Sequence, residues 1–155
     1  MLYLVRHGKA GSRHDFHGDD RMRPLSLPGY RQAQALADSL TAAGVKSLIS
    51  SPYLRCIETL QPTAWVIGAT VAIDNRLGEG RSGVDVVELL VSLPDGAAVC
   101  SHGDVIPDTI AALQRRGCEI TSAPDWRKGS VWVLDRDTDG EIVTASAWPP
   151  PDLTS

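Results

Sequence analysis

Cysteine is scarce in this sequence of 155 residues, and its placement limits the kind of protein that it can form. The three cysteines, Cys56, Cys100 and Cys118, are odd in number, widely spaced and without a metal-ligand pair. This pattern favours reduced, buried thiols in a cytoplasmic protein over a disulfide framework. We therefore expect the cysteines to be small core residues and not nucleophiles.

Long apolar runs, an excess of positive charge, repeats and linkers are also missing. The first apolar run, Met1 to Val5, ends at once in Arg6, so we expect neither a signal peptide nor a membrane span. The net charge of −4 argues against nucleic acid as a partner. We expect a single domain over residues 1–148, followed by an irregular tail over residues 149–155 that begins with three prolines.

Two apolar runs each end in a histidine followed by a glycine. Met1 to Val5 leads into Arg6-His7-Gly8, and Gly96 to Cys100 leads into Ser101-His102-Gly103. Short apolar runs predict buried strands, and a glycine permits a tight turn. Both histidines are therefore expected at the carboxyl ends of strands, where open α/β sheets bind their ligands.

A third apolar segment, Leu48-Ile49, leads into Ser51-Pro52 and then Arg55. Serine is favoured at a helix N-cap and proline at the first helical position, which predicts that Arg55 lies in a first helical turn. Parallel strands bring their carboxyl ends together at one edge of the sheet. Four side chains are expected to converge there and form a phosphate site: Arg6, His7, Arg55 and His102.

These motifs resemble the histidine phosphatase superfamily, which includes phosphoglycerate mutases and phosphohistidine phosphatases. The matching pieces span most of the chain: Arg6-His7-Gly8, Ser51-Pro52-x-x-Arg55-x-x-x-Thr59, Leu77-x-Glu79 and Ser101-His102-Gly103. Arg23-Pro24-Leu25-Ser26-x-x-Gly29 and the helix after it add a narrower likeness to the short SixA-type phosphohistidine phosphatases. The runs Lys9-Ala10-Gly11-Ser12-Arg13 and Gly18-Asp19-Asp20-Arg21 also resemble the phosphatase domain that follows a Nudix domain in some bacterial nucleotide hydrolases.

The same residues suit phosphoryl transfer on chemical grounds. The transition state spreads negative charge over the equatorial oxygens, so catalysis depends on fixed positive donors. Arg6 and Arg55 offer planar forks that stay charged. A neutral imidazole can attack phosphorus, and we assign this role to His7, as the resemblance also implies. His102 is expected to lend a further donor to the phosphoryl group.

Two carboxylates are candidates for protonating the leaving group. Glu79 stands where mutase-like members carry their acid, whereas Asp104 is better suited to the N-cap of the following helix. We therefore predict Glu79 as the general acid, with Asp104 as the alternative. A SixA-type enzyme needs no strong acid, because a phosphoramidate is protonated on its own nitrogen. Retention of Glu79 favours phosphate esters or anhydrides.

The segment from Lys9 to Arg23 follows the predicted nucleophile and has little apolar periodicity. We interpret it as a loop over the site whose cations hold a second phosphate. The predicted substrate-binding residues are Gly8, Lys9, Arg13, Arg21, Ser51 and Gly103. In the alternative interpretation the loop is solvated and its arginines pair with Asp15, Asp19 and Asp20. The histidines and aspartates from His14 to Asp20 lack the ligand spacing of a metal site, and the proposed reaction requires neither a metal ion nor a cofactor.

Strand and helix patterns alternate along the chain, which predicts an α/β fold. Helices are expected over residues 28–43, from residue 52 with an interruption or kink at Pro62, and over 84–91 and 105–115. Strands are expected at 47–49, 71–73 and 97–101, and a hairpin of 131–134 with 141–145 adds an antiparallel edge. The resemblance implies a phosphoglycerate mutase-like three-layer sandwich with a mostly parallel sheet.

The resemblance implies a cytoplasmic phosphatase that forms a phosphohistidine on His7. The SixA-type likeness favours a phosphohistidine protein as the partner, while the loop from Lys9 to Arg23 favours a small phosphorylated metabolite or nucleotide. One alternative is a nucleoside di- or triphosphate phosphatase. Another is an inactive phosphoprotein-binding module on the same fold, although a binding module needs the cations and not the nucleophile. A mutase is disfavoured because long insertions that would close over a bisphosphate are missing.

Overall fold

The computed structural model describes residues 1–153. Helices and strands alternate over most of this range, as the sequence predicts. The elements are β1 (Leu2–Arg6), α1 (Leu27–Ala42), β2 (Ser47–Ser50), α2 (Leu54–Ile67), β3 (Val71–Ile73), α3 (Gly83–Ser92), β4 (Ala97–Ser101), α4 (Val105–Arg115), β5 (Glu119–Ile120), β6 (Val131–Arg136) and β7 (Ile142–Trp148). Short 3-10 turns lie at Asp20–Met22 and Asn75–Leu77.

The strands form one seven-stranded sheet in the order β3-β2-β4-β1-β6-β7-β5. The four strands from β3 to β1 run parallel, and β6 is antiparallel to both β1 and β7. The predicted α/β fold with a mostly parallel sheet is therefore confirmed, and so is the C-terminal hairpin. Outside the hairpin lies β5, which pairs parallel with β7. With two residues, β5 is too short to show a strand periodicity in the sequence.

Residues of β1 alternate between the two faces of the sheet. Leu2 and Leu4 belong to a buried cluster with α3 and α4, whereas Tyr3 and Val5 belong to a second cluster with α1 and α2. The sheet is therefore covered by a helix pair on each face, which gives the three layers. Burial of apolar area on both faces explains why β1 is almost continuously apolar. The three cysteines are free and buried, as predicted.

The structure corrects the predicted start of α2 and shows no interruption at Pro62, while the alternative, a kink there, stays a prediction. The helix begins at Leu54, and its N-cap residue, Tyr53, makes no side-chain capping bond. Ser51 precedes the N-cap; its hydroxyl accepts from the Tyr53 amide and also contacts His102 across the sheet edge. The helix also continues through Pro62, which is buried on the packed face, so no interruption occurs there. Pro62 cannot donate a backbone hydrogen bond, and the helix persists because it packs against α1.

Strand register brings three motif residues to one edge of the sheet. Arg6 lies opposite Ser101 in the pairing of β1 with β4, and Ser50 lies opposite Cys100 in the pairing of β2 with β4. The residues that follow these strands, His7, Ser51 and His102, are therefore neighbours at the carboxyl edge.

The chain after β7 has no helix or strand from residue 149 to residue 153. The last two residues of the predicted tail, 154 and 155, lie outside the described part of the chain. Over residues 1–153, no helix combines the length and the apolar character needed to cross a membrane.

Candidate active site

The four predicted residues at the sheet edge line one pocket of about 230 Å³. Arg6 and His7 reach it from the end of β1, His102 from the end of β4, and Arg55 from the first turn of α2. The remaining lining residues are Arg13, Arg23, Glu79, Gly103, Asp104 and Lys128. The structure thus places two imidazoles and several cations around a space that fits a phosphoryl group.

His7 is held as a neutral imidazole. Its side chain is buried, and Nδ1 lies 2.8 Å from the carbonyl oxygen of Gly8, which can only accept a hydrogen bond. Burial is the main reason that the pKa of His7 falls to about 3, and the charges of His102, Arg55 and Arg6 lower it further, while the bond to Gly8 opposes the shift. The Nδ1 hydrogen is therefore committed, and the lone pair of Nε2 is available.

His102 is fixed by two side chains from neighbouring elements. Its Nε2 lies 2.8 Å from Ser51 Oγ and 3.6 Å from Cys56 Sγ. The Ser51 hydroxyl accepts from the amide of Tyr53 and so has its own hydrogen free to donate to Nε2. Among the described residues Nδ1 of His102 has no hydrogen-bond partner, although it is buried. This arrangement suits an Nδ1–H that donates to a phosphoryl oxygen.

Arg55 is almost fully buried and held by acidic partners. Its Nη2 lies 3.2 Å from Asp20 Oδ2 and 3.4 Å from Glu79 Oε2, and its Nη1 donates to the Asp20 carbonyl at 3.0 Å. The guanidinium also lies over the ring of Tyr53, 4.9 Å from its centroid. These contacts leave Arg55 a rigid, charged fork at the pocket wall.

Arg6 depends on the glycine after His102. A Cβ atom at Gly103 would lie 2.5 Å from Nη2 of Arg6, so a side chain there would displace the guanidinium. Nη1 of Arg6 donates to the carbonyl of Trp126, which fixes the fork from the other side. Burial lowers the pKa of Arg6, and the charge of Asp104 opposes that shift. The glycine in Ser101-His102-Gly103 therefore makes room for a cation from another strand.

The two candidate acids lie together at the pocket. Glu79 pairs with Arg13 at 2.9 Å and with Arg55 at 3.4 Å. Asp104 occupies the N-cap position of α4, but its backbone is helical and its carboxylate makes no capping bond, so the predicted cap is wrong. Its Oδ2 instead accepts from the amide of Gly80 at 2.8 Å, which joins Asp104 to the loop that carries Glu79.

Only some residues of the loop from Lys9 to Arg23 line the pocket. Arg13 lines the pocket and pairs with Glu79 and Asp20, and Arg23 pairs with Asp20 at 2.9 Å. The bond from Arg23 is the main reason that the pKa of Asp20 is lowered. Arg21 is exposed, pairs with Asp19 at 2.7 Å and does not line the pocket. The carboxylate two residues earlier holds its guanidinium outside the pocket, and a role of Arg21 in substrate binding stays a prediction.

Three other predicted binding residues lie behind or beside the pocket. The Gly8 amide donates to Thr59 Oγ1 at 3.0 Å, and a Cβ at Gly8 would lie 2.9 Å from the carbonyl oxygen of Gly29. Gly8 therefore serves the packing of the nucleophile turn. Ser51 acts through His102, and Lys9 lines an adjoining cavity. Over residues 1–153, no group of three or more histidine, cysteine or acidic side chains is arranged to hold a metal ion.

Lys128 is a site residue that the sequence motifs do not indicate. Lys128 lies in the loop before β6, whose Gly129 amide donates to the carbonyls of Arg6 and His7 at 3.2 and 3.1 Å. Burial lowers the pKa of Lys128, and the charges of Arg6, Arg23, Arg55 and Lys9 add to the effect. The one signal in the sequence is the basic pair Arg127-Lys128 directly before a glycine and a strand.

Comparison with known proteins supports the family suggested by the motifs. A family model described as histidine phosphatase superfamily (branch 1) matches residues 2–86. An 8-oxo-(d)GTP phosphatase of Mycolicibacterium smegmatis is 35% identical over 158 residues, covering 97% of this chain and 48% of that protein. The chain therefore spans about half the length of this curated relative.

Solved structures show the same fold. The protein histidine phosphatase SixA complexed with tungstate matches with a TM-score of 0.73 at 18% identity, over 95% of this chain and 93% of that one. A mycobacterial glucosyl-3-phosphoglycerate phosphatase complexed with VO3 matches with a TM-score of 0.67 at 22% identity, over 97% of this chain and 99% of that one.

Proposed function

The chain belongs to the histidine phosphatase superfamily, and we propose that it hydrolyses a phosphoryl group through a phosphohistidine on His7. The observation that carries the proposal is the state of His7. Burial lowers its pKa to about 3, and the Gly8 carbonyl engages Nδ1, so Nε2 presents a lone pair at neutral pH. An uncharged imidazole flanked by fixed cations is the arrangement required for attack on phosphorus.

The reaction then has two displacements. Nε2 of His7 attacks phosphorus, the bond from phosphorus to the leaving oxygen breaks, and Arg6 and Arg55 donate to the equatorial oxygens. His102 adds a donor through Nδ1. In the second step water attacks phosphorus and the phosphorus–nitrogen bond breaks, which releases phosphate and restores neutral His7. Glu79 and Asp104 are the two candidates for the protons that these steps move.

A nucleoside di- or triphosphate is the substrate class that we propose. The relative that aligns with nearly the whole chain is an 8-oxo-(d)GTP phosphatase. The composition of the pocket agrees with a polyphosphate, since Arg13, Arg23 and Lys128 add three cations to the two arginines of the motifs. Glu79 and Asp104 offset part of this charge, while Arg6 and Lys128 also line the adjoining cavity, so cations extend beyond the space of one phosphoryl group.

The decisive experiment is His7→Ala with His14→Ala as the matched control, because His14 is an exposed histidine on the neighbouring loop. Brief incubation with terminally labelled guanosine diphosphate and an alkaline quench should trap an acid-labile phosphoryl group on the wild type and on His14→Ala. His7→Ala should trap none and lose at least about 10³-fold in turnover. Full activity in His7→Ala would contradict the assignment. Absence of turnover on nucleotides, aryl phosphates and phosphohistidine peptides would favour the binding module.

A phosphohistidine protein remains a second candidate substrate, and the pairing of Glu79 favours it. Arg13 and Arg55 neutralise the Glu79 carboxylate, which suits a reaction that needs no strong acid. Glu79→Gln and Asp104→Asn, assayed over leaving groups of graded pKa, separate the cases. General-acid help is worth about 10²–10⁴ for a poor leaving group. A steep response in one variant identifies the acid, and flat responses in both favour phosphohistidine.

A further inference from the structure

We propose that the leaving part of the substrate, a second phosphate with a flat ring beyond it, binds in a cavity beside the catalytic pocket. The cavity has a volume of about 790 Å³ and shares Arg6 and Lys128 with the pocket that contains His7. This inference rests on the proposed function, because it takes the transferred phosphoryl group to lie against His7.

The volumes of the catalytic pocket and of the adjoining cavity indicate which part of the substrate each one can hold. The pocket at His7 is about 230 Å³, which is below the range of about 300–1,000 Å³ usual for small-molecule sites. It holds a phosphoryl group but not a nucleoside as well. The adjoining cavity lies within that range. When the terminal phosphate of a nucleotide lies at His7, the rest of the nucleotide therefore fits in the adjoining cavity, next to Arg6 and Lys128.

A buried glutamine fixes the cationic side of this cavity. Oε1 of Gln32 accepts from the amide of Lys9 at 2.8 Å, and its Nε2 donates to the carbonyl of Lys128 at 3.1 Å. Gln32 is 4% exposed and lines the cavity itself. One buried side chain thus holds both lysine-bearing segments in place, although they are far apart in the sequence. The fold therefore fixes the backbone of both lysines at the cavity, while their side chains are exposed.

Several cations lie close together on this side of the cavity. Arg6, Lys9, Arg127 and Lys128 line it, and Arg127 pairs with Asp125 at 2.6 Å. Lys9, Arg6 and Lys128 are close enough for their charges to repel, which contributes to the lowered pKa of Lys128. A phosphate placed among them removes this repulsion and gains charge-assisted hydrogen bonds.

The other lining residues are mainly apolar and stiff. Pro149, Pro150, Pro151 and Leu153 line the cavity, together with Asp152. Proline rings offer flat apolar surface at little conformational cost, which suits contact with a nucleobase. The cavity therefore matches a nucleoside phosphate, with anion-binding residues adjoining the catalytic pocket and apolar surface available to the ring.

This placement also provides hydrogen-bond donors for the negative charge that develops on the leaving group. When the bond from the transferred phosphorus to the bridging oxygen breaks, that oxygen leaves with the second phosphate and carries negative charge. Arg6 and Lys128 line both spaces, so they are the donors available to that oxygen. A phosphate leaving group stabilised in this way requires less protonation than an alkoxide, which agrees with Glu79 being held in ion pairs.

The test compares guanosine diphosphate with p-nitrophenyl phosphate, which carries no second phosphate. Lys9→Met should lower kcat/KM for guanosine diphosphate by about tenfold or more, and for the aryl phosphate by about threefold at most. Lys128→Met should lower both values, with the larger loss on guanosine diphosphate, because Lys128 also lines the pocket at His7. Lys128→Arg should retain the preference for the diphosphate. Lys46→Met, an exposed lysine outside both cavities, should change neither value by more than about twofold.

Equal losses on both substrates in the two methionine variants would overturn the second-phosphate site and leave the proposed function intact. Wild-type turnover that does not depend on His7 would overturn the proposed function itself. A third comparison tests the ring, because inorganic pyrophosphate carries two phosphates and no nucleoside. The wild type should show a KM for guanosine diphosphate about fivefold or more below that for pyrophosphate. Equal KM values would overturn the assignment of the apolar wall.

Discussion

The strand ends and the loop from Lys9 to Arg23 border the same pocket, but they hold their side chains by different means. His7 and His102 follow strands, are buried, and contact a carbonyl and a hydroxyl oxygen. Arg55, in the first turn of α2, is buried among its acidic partners. Arg13 and Arg21 on the loop are mostly exposed and are held by ion pairs. Exposed ion pairs are worth about 0–1 kcal/mol, so water and salt compete with them. Residues at the strand ends are therefore pre-organised, and those on the loop are adjustable.

Arg55→Lys should produce the largest effect of the substitutions that test this difference. Lysine keeps the charge but cannot reproduce a buried bidentate fork, so we expect kcat/KM to fall by at least about 100-fold, or about 3 kcal/mol. The measurement is steady-state hydrolysis of guanosine diphosphate. Arg81→Lys is the control, because Arg81 pairs at the surface with Asp85. A loss below about threefold in Arg55→Lys would show that this buried cation is as adjustable as the arginines of the loop.

The pH dependence of stability should give an effect of intermediate size. The pKa of His7 falls from 6.5 in the unfolded chain to about 3 in the fold, so the folded state disfavours protonation. Stability from this group is complete above pH 6.5 and is lost as the pH falls toward 3. At pH 5 the loss is about 2 kcal/mol. In urea unfolding, the wild type should lose about 2 kcal/mol more unfolding free energy between pH 7 and pH 5 than His7→Gln does. Equal losses in the two proteins would contradict the lowered pKa of His7.

Arg21→Gln should give the smallest effect. The Arg21 guanidinium pairs with Asp19 at the surface and does not line the pocket. We therefore expect kcat/KM to change by less than about twofold and Tm by less than about 2 °C. The measurements are the same hydrolysis assay and a thermal melt. A loss of tenfold or more would show that the loop reorganises around the substrate and that Arg21 binds it after all.

The contrast between the regions also explains which predictions from sequence are right. His7 and His102 follow short apolar runs, and the alternation of strand and helix makes those runs neighbours in a parallel sheet. The hairpin of β6 and β7 is likewise local and is confirmed. Ser51 and Asp104 are assigned wrongly as helix caps. Each stands at a suitable position along the chain, but its partner, His102 or the Gly80 amide, belongs to another segment.

Local pattern predicts most of the strands and their histidine ends, because apolar periodicity and turn residues act within a few positions, and the resemblance of the motifs indicates the family. The tertiary structure decides the rest of the site. Asp20 and Arg55 are brought together across the sheet edge, and Gln32 holds Lys9 and Lys128 to one cavity wall. Such pairings depend on distances between segments remote in sequence, which no spacing motif encodes. The charge state of His7 belongs to this class as well, since burial that only the packed fold creates lowers its pKa.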